Sequence, residues 1–157
     1  MATGNSETPP GGGGTSDLGK ARVLVVEDDP GTLRFVSLAL TRAGFDLTTA
    51  TTAPTAIELL GRESFDVLLA DIGLPGMSGF EFLSVVRRRF PSIRVIAMSG
   101  AFSVDDIPRG VAADAFYEKG PKLSLLLQIV QAMICEERSP ALHHRAPPPM
   151  QNCAELA

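Results

Sequence analysis

Residues 22–117 carry five short apolar runs, and segments of helical period separate most of them. Arg22-Val23-Leu24-Val25-Val26 is continuous rather than alternating. Such a run suits a strand buried on both faces, as in a parallel sheet. Glu27-Asp28-Asp29-Pro30 stops it, with Asp29 suited to an N-cap and Pro30 to the first helical position. Leu33, Val36, Leu40 and Ala43 then recur at helical spacing up to Gly44. Residues 45–50 read as a second strand, and Thr52 or Ala53 with Pro54 opens a second helix that Gly61 ends. Residues 65–70 form a third strand that runs into Asp71. A loop with Gly73, Pro75, Gly76 and Gly79 leads to a helix through Phe80, Leu83 and Val86. Residues 93–98 are a fourth strand, followed by Ser99-Gly100. Residues 102–112 make a poor helix, because Pro108 and Gly110 fall inside it. Residues 115–117 are a fifth strand, and residues 121–135 the last helix.

Strands alternating with helices at this spacing give (βα)5, a doubly wound α/β domain with a parallel five-stranded sheet and helices on both faces. Composition sets its limits. Of 15 Gly and 12 Pro, six Gly and two Pro lie in residues 1–19, and four Pro lie in residues 138–157. Neither end shows apolar periodicity, so both are expected to be flexible and the domain to occupy residues 20–137. The net charge of −4 lacks the basic footprint of a nucleic-acid binder. The chain shows no apolar run of about 20 residues for a membrane helix and no secretory signal. Cys135 and Cys153 are too few for a disulfide framework and are expected to be free thiols. These features point to a cytoplasmic setting.

In a parallel sheet of this kind, ligands bind at the carboxyl ends of the strands. Those ends carry Glu27, Asp28 and Asp29 after the first strand, Asp71 after the third, Ser99 after the fourth and Lys119 beyond the fifth. A nucleotide site wants a glycine-rich loop after the first strand; here stand three carboxylates, which repel phosphate unless a cation intervenes. Mg²⁺ fits, since it takes oxygen ligands from one or two carboxylates, waters and a phosphoryl oxygen. With a metal present, Asp71 can act as a nucleophile toward phosphorus, Lys119 adds fixed positive charge, Ser99 can donate to a phosphoryl oxygen, and the Gly73 carbonyl can reach the metal. Singly, each of these residues also fits an ordinary turn or cap. Their joint placement at successive strand ends carries the argument.

Val25-Val26-Glu27-Asp28-Asp29, Asp71-Ile72-Gly73-Leu74-Pro75-Gly76-Met77-Ser78-Gly79, Met98-Ser99-Gly100 and Phe116-Tyr117-Glu118-Lys119, in this order, resemble the receiver domain of two-component response regulators. The resemblance covers residues 20–137. It implies the flavodoxin-like strand order 2-1-3-4-5. It implies that Asp71 is the phospho-acceptor and that Mg²⁺ is bound by Glu27, Asp28, Asp71 and the Gly73 carbonyl, Asp28 directly and Glu27 through water. Ser99 is then the switch hydroxyl, Phe116 the switch aromatic and Lys119 the lysine that contacts the phosphoryl group. Asp29 matches a variable position. The implied donor is a histidine kinase or phosphotransfer protein, and the downstream target is another protein. Such a chain is not an enzyme in the ordinary sense, because it assists only its own phosphorylation and dephosphorylation. With only twenty residues after the domain, a stand-alone receiver is expected. Two features depart from the family: Gly120 stands where proline usually follows the lysine, and the segment from Ser99 to Lys119 is short.

The chief alternative is a receiver-like interaction module that is never phosphorylated. A haloacid-dehalogenase-type phosphatase would need a second aspartate where Gly73 stands. In the last helix, Leu123, Leu126, Leu127, Val130 and Ile134 form one apolar stripe and Leu125, Ile129 and Met133 a second. Together they make one wide buried face, or else an exposed strip for a homodimer or partner through the fourth helix, fifth strand and last helix. Arg87-Arg88-Arg89 reads as a solvated helix end, and His143-His144 as incidental.

Overall fold

Three of the five strands are buried along their length, two of them from the residue after an opening arginine, as expected of uninterrupted apolar runs. The structure, a computed structural model, describes residues 20–101, 103–107 and 110–137. The chain forms β1 (Arg22–Val26), α1 (Pro30–Arg42), β2 (Asp46–Ala50), α2 (Ala53–Arg62), β3 (Val67–Asp71), α3 (Gly79–Arg89), β4 (Arg94–Ser99), a 3-10 turn (Val104–Asp106), β5 (Ala115–Glu118) and α4 (Leu123–Glu137). The sheet is parallel throughout, in the order β2-β1-β3-β4-β5.

Alternation within the strands sorts the core into two layers. Leu24, Val26, Leu68, Ala70, Val95 and Ala97 face α2 and α3, where Ala56, Leu60, Phe82, Leu83 and Val86 cover them. Val23, Val25, Val67, Leu69, Ile96 and Met98 face α1 and α4, where Val36, Leu40, Leu126 and Val130 cover them. The helices start where capping chemistry permits. Asp29 Oδ2 accepts from the Thr32 amide at 2.7 Å, and Thr52 Oγ1 accepts from the Thr55 amide at 3.3 Å. Gly44, at φ 93°, ends α1 in the left-handed conformation that glycine allows.

The fourth crossover differs from the expected helix. Among the described residues between β4 and β5, only Val104–Asp106 is helical, as a single 3-10 turn. Gly110 sits at φ 89°, outside the range of a right-handed helix. In α4 both stripes serve the core: Ile129 and Met133 pack against it along with Leu123, Leu127 and Ile134. Leu125 is the exception, at 47% exposed. The arginine run also splits. Arg88 and Arg89 are exposed, but Arg87 turns inward to Asp114 at 2.8 Å and to the carbonyls of Pro91, Ile93 and Ala112. The Gly- and Pro-rich ends, with His143, His144 and Cys153, lie outside the described residues.

Candidate phospho-acceptor site

The parallel register brings the site together. Val26 pairs with Ala70, Ala70 with Ala97, and Ala97 with Phe116. One step further along each strand, the chain reaches Glu27, Asp71, Met98 and Tyr117 side by side. Glu27 is held there by its amide, which donates to the Ala50 carbonyl at 3.0 Å. Its side chain is fully buried, and Asp71 is 5% exposed. Asp28, one residue on, is exposed. Carboxylate oxygens of Glu27, Asp28 and Asp71 all lie within 4.8 Å of one another.

Lys119 supplies the opposing charge. Its Nζ lies 2.6 Å from Glu27 Oε2 and 2.9 Å from Asp71 Oδ2. Burial alone would lower the pKa of this ammonium; the bonds to Glu27 and Asp71 outweigh that and hold it above the usual lysine value. Burial pushes the Glu27 carboxyl above its usual range, although the Lys119 ammonium and the Asp29 amide both pull it down. The Asp29 amide reaches Glu27 Oε1 at 3.1 Å. Asp29 itself belongs to the helix: the Thr32 amide bonded to its carboxylate lowers its pKa.

Asp71 is oriented from both sides. While Oδ2 faces Lys119, Oδ1 accepts from the Gly73 amide at 2.9 Å. Sequence reasoning singled out the Gly73 carbonyl and missed this amide contact. Ser99, 5% exposed at the end of β4, accepts at Oγ from the Ala101 amide at 3.3 Å. Its carbonyl accepts from the Lys119 amide at 2.7 Å, which links the two strand ends. Phe116 is half-buried on β5 and packs on the α2–α3 side. Hence Glu27, Asp28, Asp71 and Lys119 form one cluster, while Ser99 joins it through the backbone of Lys119.

The cluster suits a hard divalent cation. Three carboxylates gather beside a single ammonium, which reaches one oxygen of Glu27 and one of Asp71 and leaves their negative charge in excess. Oxygen donors with spare lone pairs, partly open to solvent through Asp28, match what Mg²⁺ takes.

Comparison with known proteins agrees with this geometry. Residues 23–130 match the model of the response regulator receiver domain. The chain belongs to that family. As a receiver, it is 34% identical over 85 residues to the response regulator protein FleR of Pseudomonas aeruginosa, covering 54% of this chain and 18% of FleR. It is 36% identical over 91 residues to the probable transcriptional regulatory protein TcrX of Mycobacterium tuberculosis, covering 58% of this chain and 39% of TcrX. The receiver thus spans well under half the length of these relatives. Among solved structures, the response regulator TrrA of Thermotoga maritima, in complex with Mg²⁺-BeF, superposes with a TM-score of 0.66 at 26% identity, covering 72% of this chain and 98% of TrrA. TrrA has also been solved in complex with the histidine kinase ThkA. The receiver is therefore a two-component signalling module with the doubly wound fold of its family. Among its described residues, no helix is long and apolar enough to cross a membrane.

Tyr117 is a site neighbour that sequence reasoning passed over. It is buried on β5, and its hydroxyl donates to the Gly120 carbonyl at 3.2 Å. The available signal was a lone polar-tipped aromatic, the only tyrosine in the chain, two residues before the key lysine.

Proposed function

We propose that Asp71 accepts a phosphoryl group from a phosphohistidine on a histidine kinase or phosphotransfer protein, and that the phosphorylated receiver signals through altered contact with a protein target. The observation that carries this reading is the meeting of Glu27, Asp28, Asp71 and Lys119 at one sheet edge, with each Asp71 oxygen given its own donor. In the transfer, a carboxylate oxygen of Asp71 attacks phosphorus. A P–O bond forms as the P–N bond to the donor imidazole breaks, and the imidazole nitrogen leaves with the electron pair and is protonated. Lys119 places fixed positive charge beside the new oxygens, where little reorganisation is needed.

Glu27, Asp28, Asp71 and the Gly73 carbonyl would hold Mg²⁺, which when bound neutralises charge on the phosphoryl oxygens. Ser99 donates its hydroxyl to a phosphoryl oxygen once one is present, and Phe116 repacks in response. Differential contacts of this kind bias a two-state equilibrium, and about 1.4 kcal/mol suffices for a tenfold shift in population. The TrrA complexes with Mg²⁺-BeF and with ThkA support the ligand and the class of donor. On this reading the chain turns over no separate substrate. Its exposed free thiol, Cys135, suits the reducing cytoplasm.

Intact-mass analysis after treatment with a small acyl phosphate tests the reading. The expected result is a gain of one phosphoryl group that requires Mg²⁺ and is absent in Asp71→Asn. No gain with or without metal would instead identify an interaction module that is never phosphorylated.

A further inference from the structure

Lys119 can serve the acceptor site only if the chain on either side of it is held. On the N-terminal side, its own amide is tied to the Ser99 carbonyl at 2.7 Å. On the C-terminal side comes Gly120, the residue with the greatest backbone freedom, and it is exposed. Packing does not fix this turn. A cleft of about 130 Å³ opens beside it toward Thr32, Phe35 and Met98, and a second of about 380 Å³ opens toward Glu118 and Leu125. Tyr117, Lys119 and Gly120 line both clefts, so the turn runs between two spaces.

One polar contact bridges it. The Tyr117 ring is anchored in the core beside Met98 and Leu126, at 4% exposed. From that fixed base its hydroxyl donates to the Gly120 carbonyl at 3.2 Å. We propose that Tyr117 is a positioning residue for phosphoryl transfer: its hydroxyl holds the Gly120 turn and so keeps the Lys119 ammonium on Asp71 and Glu27. The inference rests on the phospho-acceptor reading of the site. It concerns a residue that touches neither the phosphoryl group nor the metal.

Tyr117→Phe keeps the ring and removes only the hydroxyl, so the fold is expected to persist. Phosphorylation by a small acyl phosphate with Mg²⁺ should slow by about two- to tenfold, the span of one neutral hydrogen bond. Two further variants separate positioning from general loosening. In a Lys119→Ala background, Tyr117→Phe should have no further effect on the rate, because its influence runs through the lysine. Gly120→Ala should restore part of the rate lost in Tyr117→Phe. Its φ is not positive and an added Cβ would meet nothing nearer than 3.9 Å, so the change stiffens the turn without strain.

Amide hydrogen exchange gives a readout independent of phosphate. Lys119 and Gly120 should exchange faster in Tyr117→Phe while β1 and β3 stay protected. Unchanged exchange at those amides, or an equal rate loss with and without Lys119, overturns the proposal. No phosphoryl uptake by the wild-type protein defeats the acceptor reading itself, and the role of Tyr117 in that reaction with it. Uptake by the wild type with a wild-type rate in Tyr117→Phe defeats the positioning role alone.

Discussion

A methyl group placed on Gly79 would sit 2.3 Å from the Ile72 carbonyl oxygen and 2.4 Å from its Cα. No rotamer relieves that contact, because both partners are backbone. Gly79 opens α3, and Ile72 directly follows Asp71, the proposed acceptor. The glycine therefore lets the helix start close against the loop that follows Asp71. Gly79→Ala should cost about 1–3 kcal/mol in urea unfolding, the range of an overpacked core site. It should also disturb the Gly73 amide contact to Asp71. Gly61 provides the contrast: it is exposed inside α2, has nothing within 4 Å of a built Cβ and is not at positive φ. Gly61→Ala should stabilise the protein by about 0.5–1 kcal/mol. Equal effects of the two substitutions would show that close approach is not what Gly79 provides.

At the scale of elements, the weak point is the crossover between β4 and β5, where a 3-10 turn stands in for a helix. β5 is an edge strand of four residues, and side-chain bonds from Asp114 and Arg87 help to tether the chain just before it. Asp114 Oδ2 accepts from the buried Val95 amide at 2.7 Å and from Arg87 Nη2 at 2.8 Å. The Asp114 amide in turn donates to the Val95 carbonyl at 2.8 Å. Asp114→Ala strands the Val95 N–H and should cost about 1–3 kcal/mol, while Asp114→Asn, which keeps an acceptor, should cost less. Arg88→Ala, on the exposed side of the same run, should be neutral within about 0.5 kcal/mol by chemical denaturation. The sequence makes the two cases look alike. Arg87 and Arg88 are equal members of a basic run at a helix end; only the tertiary position of Asp114, 27 residues away, distinguishes them. By contrast, β1, β3 and β4 were legible because strands buried on both faces must be apolar throughout. The fourth crossover was legible as a defect, through Pro108 and Gly110, but not as a 3-10 turn. The second stripe of α4 was ambiguous for a related reason. Periodicity shows how wide an apolar face is, yet not whether a neighbour covers all of it.

For the molecule as a whole, the acidic edge sets stability against ligand binding. The carboxylates of Glu27, Asp28 and Asp71 were legible as a group because register aligns strand ends whose spacing in sequence is large. How they share Lys119 depends on side-chain geometry that spacing does not encode. Packing Glu27 into the core raises its pKa above the usual 4.5. The native state thus binds more protons than the unfolded chain between that value and the raised one. From this group, metal-free stability falls as pH rises through that window. Mg²⁺ held at this edge, as proposed, would add to stability, since a ligand that binds only the native state contributes RT ln(1 + [L]/Kd), about 2.7 kcal/mol at a hundredfold excess over Kd. Its carboxylate ligands must be deprotonated, so the increment should grow with pH over the same window. Asp28 isolates the two effects. It is exposed and sits among like charges, so Asp28→Asn should leave the metal-free protein no less stable than wild type. The same substitution should remove most of the Mg²⁺ increment in thermal melts. An increment equal in wild type and Asp28→Asn would move the metal off this edge. An increment that is independent of pH across that window would take Glu27 out of the ligand set.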